Sequence, residues 1–182
     1  NFRANIWALK QTGVRNVIAV AAVGGIRSDM IPGNLAFPHQ IIDYTWSRKH
    51  TFFEENLRRV TNIEFTHPYC EELRGLLVSS AREAGLQASE NGVYGATQGP
   101  RLETAAEINR LERDGCDMVG MTGMPECALA RELELCYATC AIVANWAAGR
   151  GDGTITMEAI DRHIKAGMQQ VYTLVEKLMP ML

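Results

Sequence analysis

The chain has 182 residues, 47% of them hydrophobic and 21% charged, a size and composition typical of one globular domain. Its formal net charge of −3 gives no bias toward nucleic acid or anionic membranes, no apolar run approaches the roughly 20 residues of a membrane span, and no signal-peptide pattern is present, so we expect a cytoplasmic protein. The five cysteines include no CxxC pair, which predicts buried, reduced thiols and no metal site.

The first half of the chain alternates helical and strand-like patterns. Apolar residues three and four apart predict a helix over residues 2–11, and a continuous apolar run predicts a strand over 17–22 that is covered on both faces. A strand is expected over 35–44 and a helix over 71–84. Residues 46–60 are charged and without a period, which is typical of a solvated loop.

The second half continues the alternation up to a long terminal helix. We predict in order a strand at 93–97, a helix from about 103 to 115, a strand at 118–121, a helix from Pro125, a strand at 136–144, and a helix from the N-cap Thr156 to about Leu178. Strands alternating with helices predict an α/β fold with a mixed, largely parallel central sheet flanked by helices.

Three polar residues fall at or near the ends of predicted strands: Glu103, Thr122 and Asn145. Each also has a plain structural interpretation, as a helix-start carboxylate, a cap and a turn residue respectively. Open α/β sheets bind small molecules beyond the carboxyl ends of their strands. Their joint placement therefore favours a ligand site built from all three.

Three motifs carry a resemblance to a known family: GPRLETAAEI at 99–108, VGMTGMPE at 119–126 and ANWAAG at 144–149. The chain resembles, over nearly its whole length, the trimeric purine nucleoside phosphorylase and methylthioadenosine phosphorylase family. The resemblance implies a nucleoside phosphorylase-like fold, a homotrimer, inorganic phosphate as co-substrate, and neither organic cofactor nor metal. Ahead of the position of Asn1, the family carries strands, and a glycine-rich segment and an Arg-His pair that bind phosphate, so we expect one domain over 1–182 that lacks these N-terminal strands.

The resemblance also implies a role for each side of the site. The base is expected to contact Val23, Gly24 and Leu102, the ribose Met121, and the phosphate Ala22 and Thr122. At the sugar 5′ end, members that accept a 5′-hydroxyl have His where this chain has Met157, and Ile160 lies one turn further along the helix. We therefore expect Met157 and Ile160 to form a 5′-methylthio pocket; the alternative is that both are core residues of the last helix.

Glu103 and Asn145 are the expected catalytic and base-reading pair. A 6-oxopurine presents an N1–H donor and an O6 acceptor, whereas adenine presents the reverse pattern. A carboxylate accepts from N1–H and repels the N1 lone pair of adenine, and an amide can donate to O6 while accepting from N7–H. The adenine-preferring relatives have Ser and Asp at these two positions, so the pair predicts 6-oxopurine specificity.

The expected reaction is phosphorolysis of a 6-oxopurine nucleoside in purine salvage. Within the family, the motifs favour S-methyl-5′-thioinosine, which would yield hypoxanthine and 5-methylthioribose 1-phosphate. Phosphorolysis of inosine, guanosine or methylthioadenosine remains an alternative, and so does a non-catalytic purine-binding subunit. No partner other than nucleoside, phosphate and further copies of the chain is expected. A dinucleotide-dependent oxidoreductase is disfavoured because no G-x-G-x-x-G follows a predicted strand.

Overall fold

The structure is a computed structural model that describes residues 1–54 and 61–182. The described strands are β1 Asn16–Gly25, β2 Leu35–Ala36, β3 Gln40–Asp43, β4 Ala88–Ser89, β5 Val93–Ala96, β6 Met118–Gly120 and β7 Cys136–Trp146. The described helices are α1 Phe2–Gln11, α2 Glu71–Glu83, α3 Ala105–Arg113, α4 Glu126–Glu132 and α5 Met157–Leu178, the last followed by a 3-10 turn at Met179–Met181. None of these helices has both the length and the apolar character needed to cross a membrane.

The described strands form one mixed sheet in the order β3-β5-β6-β1-β7-β2-β4. The β1–β7, β2–β4, β3–β5 and β5–β6 pairs are parallel, whereas β1–β6 and β2–β7 are antiparallel. Strand β1 pairs with β7 along its whole length but meets β6 only at Gly24 and Gly25. The predicted α/β fold with a mixed, largely parallel sheet is confirmed.

Strand β7 lies at the centre of the core. Residues 137–144 are buried and, apart from Thr139, apolar or aromatic, because a strand covered on both faces has no solvent-facing side where polar residues would be favoured. Helices α2 and α5 pack on one face around Leu77 and Leu174, and α1 and α4 contribute Ile6 and Leu129 to the cluster on the other. Both faces thus hold the end of β7, and with it Asn145, in place.

Most predicted elements are confirmed to within one or two residues, but the single strand over 35–44 is wrong. The chain makes β2 beside β7 and, after residues 37–39 only, makes β3 at the far end of the strand order. A link this short can join the two strands only because the sheet is curled. Pro38 lies between them and has no N–H to donate to a strand ladder, so one continuous strand cannot form. Helix α5 begins as predicted after Thr156, whose hydroxyl accepts from Ala159 N at 3.2 Å.

The prediction that all the cysteines are reduced is also wrong. Cys70 and Cys136 form a disulfide that joins the start of α2 to the start of β7. Cys116, Cys127 and Cys140 are free and buried, as expected. Burial raises the pKa of Cys127 and Cys140 to about 12, so these two thiols are poor nucleophiles at neutral pH.

Candidate active site

A cavity of about 290 Å³ opens where the carboxyl ends of β1 and β7 meet β6 and the loop that precedes α3. Its lining combines small apolar residues with a few polar groups. The lining residues are Ala22, Val23, Gly24, Leu102, Glu103, Val119, Gly120, Met121, Thr122, Ala144, Asn145, Ala147, Ala148, Ile155 and Ile160. Every residue expected from the sequence to form the nucleoside site is among them except Met157.

Gly24 brings the three strands together at this point. The register between β1 and β7 shifts after Val23, so that Gly24 lies beside Asn145 on one side and Val119 on the other. A Cβ at Gly24 would lie 3.2 Å from Val119 Cγ1 and 3.3 Å from Ala147 Cα, a contact tighter than packing normally allows. Glycine therefore fits at this position without displacing Val119 or Ala147, and it leaves the cavity wall open.

Glu103 is held by a hydrogen bond that the sequence did not reveal. Thr97 follows β5, its N–H donates to Gly120 O at 2.8 Å, and its hydroxyl donates to Glu103 Oε1 at 2.6 Å. The second carboxylate oxygen, Oε2, makes no hydrogen bond within the described residues and can accept one from a ligand. The carboxylate is thus oriented by one oxygen and available through the other.

The alternative role of Glu103 as the carboxylate at the start of α3 is taken by another residue. Thr104 is the N-cap, and Glu107 completes a capping box by accepting from Thr104 N at 2.7 Å. The Arg101 guanidinium and the Thr104 N–H hold the pKa of Glu107 down to about 2. Glu103 lies before the cap and takes no part in it.

Asn145 is also positioned through one of its groups. Its Nδ2 donates to Trp146 O at 2.6 Å, which leaves a second amide hydrogen and the carbonyl oxygen for a ligand. The preceding residue is fixed from α5, because His163 Nδ1 donates to Ala144 O at 2.8 Å. The amide can therefore both donate to and accept from a bound molecule.

Thr122 is exposed to the cavity and is held from behind by Tyr94. Its N–H donates to Tyr94 Oη at 3.4 Å, and the two hydroxyl oxygens lie 3.5 Å apart. Burial raises the pKa of Tyr94, so this hydroxyl keeps its proton and can donate it to Thr122. The Thr122 hydroxyl hydrogen is then available to a ligand. Gly120 permits this approach, since a Cβ there would lie 2.2 Å from Tyr94 Oη.

The two residues expected at the sugar 5′ end differ in position. Ile160 lines the cavity together with Ile155, and these side chains form an apolar patch. Met157 lies at the start of α5, is 67% exposed and is not part of the cavity lining. The structure of the single chain therefore brings Ile160, but not Met157, to the other site residues.

A second cavity of about 460 Å³ opens on the other side of Glu103. Although it is larger and shares Glu103 with the first cavity, its other charged groups are already engaged: Arg101 bonds Glu107 at 2.7 Å, and Arg110 lies over the Tyr44 ring at 5.7 Å. The smaller cavity holds the polar groups with unused hydrogen-bonding capacity, and we take it as the candidate active site. The described residues contain no cluster of three His, Cys, Asp or Glu side chains able to hold a metal ion.

Comparison with known proteins places the chain in a family. Residues 1–180 match the phosphorylase superfamily. A probable S-methyl-5′-thioinosine phosphorylase of Pseudomonas syringae is 57% identical over 171 residues, covering 94% of this chain and 70% of that protein. The 6-oxopurine nucleoside phosphorylase of Pyrococcus furiosus is 43% identical over 187 residues, covering 100% and 71%.

A solved structure supports the same family assignment. Methylthioadenosine phosphorylase from Schistosoma mansoni in complex with adenine superposes with a TM-score of 0.94 at 27% identity, covering all of this chain and 70% of that one. The sequence similarity and the shared fold cover the same elements, from α1 to the end of α5. The chain therefore belongs to the phosphorylase superfamily, the nucleoside phosphorylases of which are pentosyltransferase enzymes.

Proposed function

We propose that this protein cleaves S-methyl-5′-thioinosine with inorganic phosphate, releasing hypoxanthine and 5-methylthioribose 1-phosphate. The observation that carries the proposal is the joint presence, in one cavity, of a Glu103 carboxylate oxygen and an Asn145 amide that are both free to bind a ligand. The relatives named above as S-methyl-5′-thioinosine and 6-oxopurine nucleoside phosphorylases support the same reaction class.

The base is read by a pattern that suits hypoxanthine. Glu103 Oε2 accepts from N1–H, and Asn145 donates to O6 and accepts from N7–H as the leaving base gains a proton. Adenine would set its N1 lone pair against the carboxylate and leave buried polar groups unpaired. Such a mismatch can discriminate by about 10⁴-fold or more, so we favour a 6-oxopurine over methylthioadenosine.

The sugar and phosphate occupy the opposite side of the cavity. Thr122 donates its hydroxyl hydrogen to the phosphate, the Ala22 backbone N–H adds a second donor, and Met121 packs against the ribose. Phosphorolysis breaks the bond between C1′ and the base nitrogen while a phosphate oxygen bonds to C1′. Positive charge develops on the sugar and negative charge on the base, and donors fixed before the reaction stabilise that charge without reorganising.

The 5′ substituent separates the proposed substrate from inosine. Ile155 and Ile160 are apolar and cannot hydrogen-bond a 5′-hydroxyl, but they can pack against a methylthio group. Burying such a group, set against leaving a hydroxyl unpaired, favours the thio substrate by about 1–3 kcal/mol. Inosine and guanosine remain the second candidates, because the Pyrococcus furiosus relative is named for 6-oxopurine nucleosides in general.

The proposal includes the assembly and the setting of the enzyme. Residues 1–182 would belong to one phosphorylase domain within a cytoplasmic homotrimer, with phosphate as co-substrate and neither metal nor organic cofactor. Met157, which is exposed in the single chain, stays a prediction for the 5′ end of the sugar. Sedimentation of the protein as encoded, with a trimer expected and a monomer contradicting the assembly, tests this part.

A substrate panel tests the reaction. Inosine, guanosine, adenosine and their methylthio analogues are each incubated with the protein as encoded, with and without phosphate, and free base is quantified. We expect phosphate-dependent release of hypoxanthine, fastest from methylthioinosine. Binding of hypoxanthine without any phosphate-dependent release would identify a purine-binding subunit and overturn the proposal.

A further inference from the structure

Arg48 lies in the irregular segment after β3 and contacts the two loops that carry the candidate site. Its guanidinium donates to four backbone carbonyl oxygens: Met121 O at 2.8 Å, Met124 O, Gln98 O at 2.9 Å and Thr97 O at 3.3 Å. The first two belong to residues 121–125, called here the phosphate loop, and the last two to residues 97–103, called here the base loop. A single side chain thus joins both loops.

The environment of Arg48 is unlike that of a surface arginine. Among the described residues it forms no ion pair, whereas nearby Arg3 and Lys49 both pair with Glu54. Instead Arg48 is half-buried, its guanidinium lies 5.5 Å from the centre of the Phe2 ring, and its N–H groups donate to main-chain carbonyl oxygens. A planar guanidinium with five N–H groups can hold several acceptors in fixed directions, which the three donors of a lysine cannot reproduce.

The carbonyls belong to segments that position different parts of the substrates. The base loop begins at Thr97, which orients Glu103, and the phosphate loop contains Met121 and Thr122. We propose that Arg48 is a positioning residue that fixes the base loop relative to the phosphate loop and so couples the binding of purine to the binding of phosphate. This inference rests on the proposed function for the identity of the two ligands.

The inference has a thermodynamic consequence that can be measured. Where one ligand orders a loop that the other also requires, each raises the affinity for the other by the same factor, commonly about 5- to 150-fold. We expect such a factor for hypoxanthine and phosphate in the unaltered protein. In Arg48→Met, which keeps much of the apolar stem but has no donors, the factor should fall close to one.

The experiment measures the dissociation constant of hypoxanthine by calorimetry, with and without saturating phosphate, in the protein as encoded. Arg48→Lys serves as the second variant if Arg48→Met does not fold, and we expect it also to lose most of the coupling. Arg74→Met is the matched control. Arg74 is similarly buried and donates to Glu90 O at 2.6 Å, but it lies on α2 away from the cavity, so its removal should lower stability and leave the coupling intact.

Turnover gives an independent readout. A misplacement of about 1 Å can cost about 10²-fold in rate, so kcat/KM of Arg48→Lys should fall by roughly that factor while its far-UV spectrum is unchanged. Unaltered coupling in both Arg48 variants, or no coupling in the unaltered protein, would overturn the inference. Failure of the proposed function is distinguishable, because it would appear as an absence of phosphate-dependent base release before any substitution is made.

Discussion

Replacing Thr97 by valine tests whether Glu103 must be held to read the base. Valine keeps the shape of threonine but removes the hydroxyl that donates to Glu103 Oε1 at 2.6 Å. Hydrogen bonds to charged groups contribute about 1.5–3 kcal/mol. If that energy orients the carboxylate in the transition state, kcat/KM for methylthioinosine should fall roughly 10- to 150-fold. Methylthioadenosine, which gains nothing from an ordered carboxylate, should be affected less.

The assay compares initial rates of both nucleosides for the unaltered protein, Thr97→Val and Thr97→Ser. Serine restores the hydroxyl, so we expect it to recover most of the lost activity. Thr173→Val is the control, because that hydroxyl donates to Gln169 O within α5 and lies far along the helix from the cavity. A Thr97→Val protein within twofold of the original for methylthioinosine would refute the reasoning.

Three further predictions concern specificity and stability. Met157→His should reduce the preference for methylthioinosine over inosine; an unchanged preference would remove Met157 from the 5′ pocket. Burial raises the pKa of Glu126 above its ordinary 4.5. The contribution of Glu126 to folding stability is therefore fully present below pH 4.5 and is lost as pH rises through the folded-state pKa. Glu126→Gln, which still accepts from Tyr137 Oη, should therefore raise the melting temperature at pH 7–8, and a lower one would contradict this. Cys70→Ser removes the disulfide to Cys136, 66 positions away, and should lower the free energy of unfolding by about 2–4 kcal/mol. A urea midpoint that does not change when reductant is added would count against the disulfide.

The sequence predicts those parts of the fold that local patterns determine. The apolar run of β7 and the periodic face of α5 identify buried elements, because burial on two faces or on one stripe leaves a direct mark on residue order. Glu103 and Asn145 could be selected because they lie near the ends of such elements. Their meeting in one cavity depends on the strand order β5-β6-β1-β7, which places the loop after β5 and the end of β7 around β6 and β1.

Contacts between segments that are far apart in the sequence produce no such residue pattern. In the sequence, Thr97 is an ordinary threonine at a strand end, and nothing marks its bond to Glu103. Arg48 lies in a stretch whose sequence pattern predicts a solvated loop. The Cys70–Cys136 disulfide joins residues 66 positions apart with no motif around them. These features depend on tertiary geometry, so residue spacing alone could not have predicted them. Residues 55–60 of the predicted loop over 46–60 lie outside the described residues.

The pairing of Glu103 with Asn145 as the reader of a 6-oxopurine is the central claim. Its most direct test is kcat/KM for methylthioinosine and methylthioadenosine in the unaltered protein, Glu103→Ser, Asn145→Asp and the double variant. We expect Asn145→Asp alone to raise the barrier for methylthioinosine by about 2–4 kcal/mol, because a carboxylate then faces O6. The double variant should shift the ratio of the two rates toward methylthioadenosine, even at low absolute activity. Additive losses with an unchanged ratio would show that these two residues do not read the base.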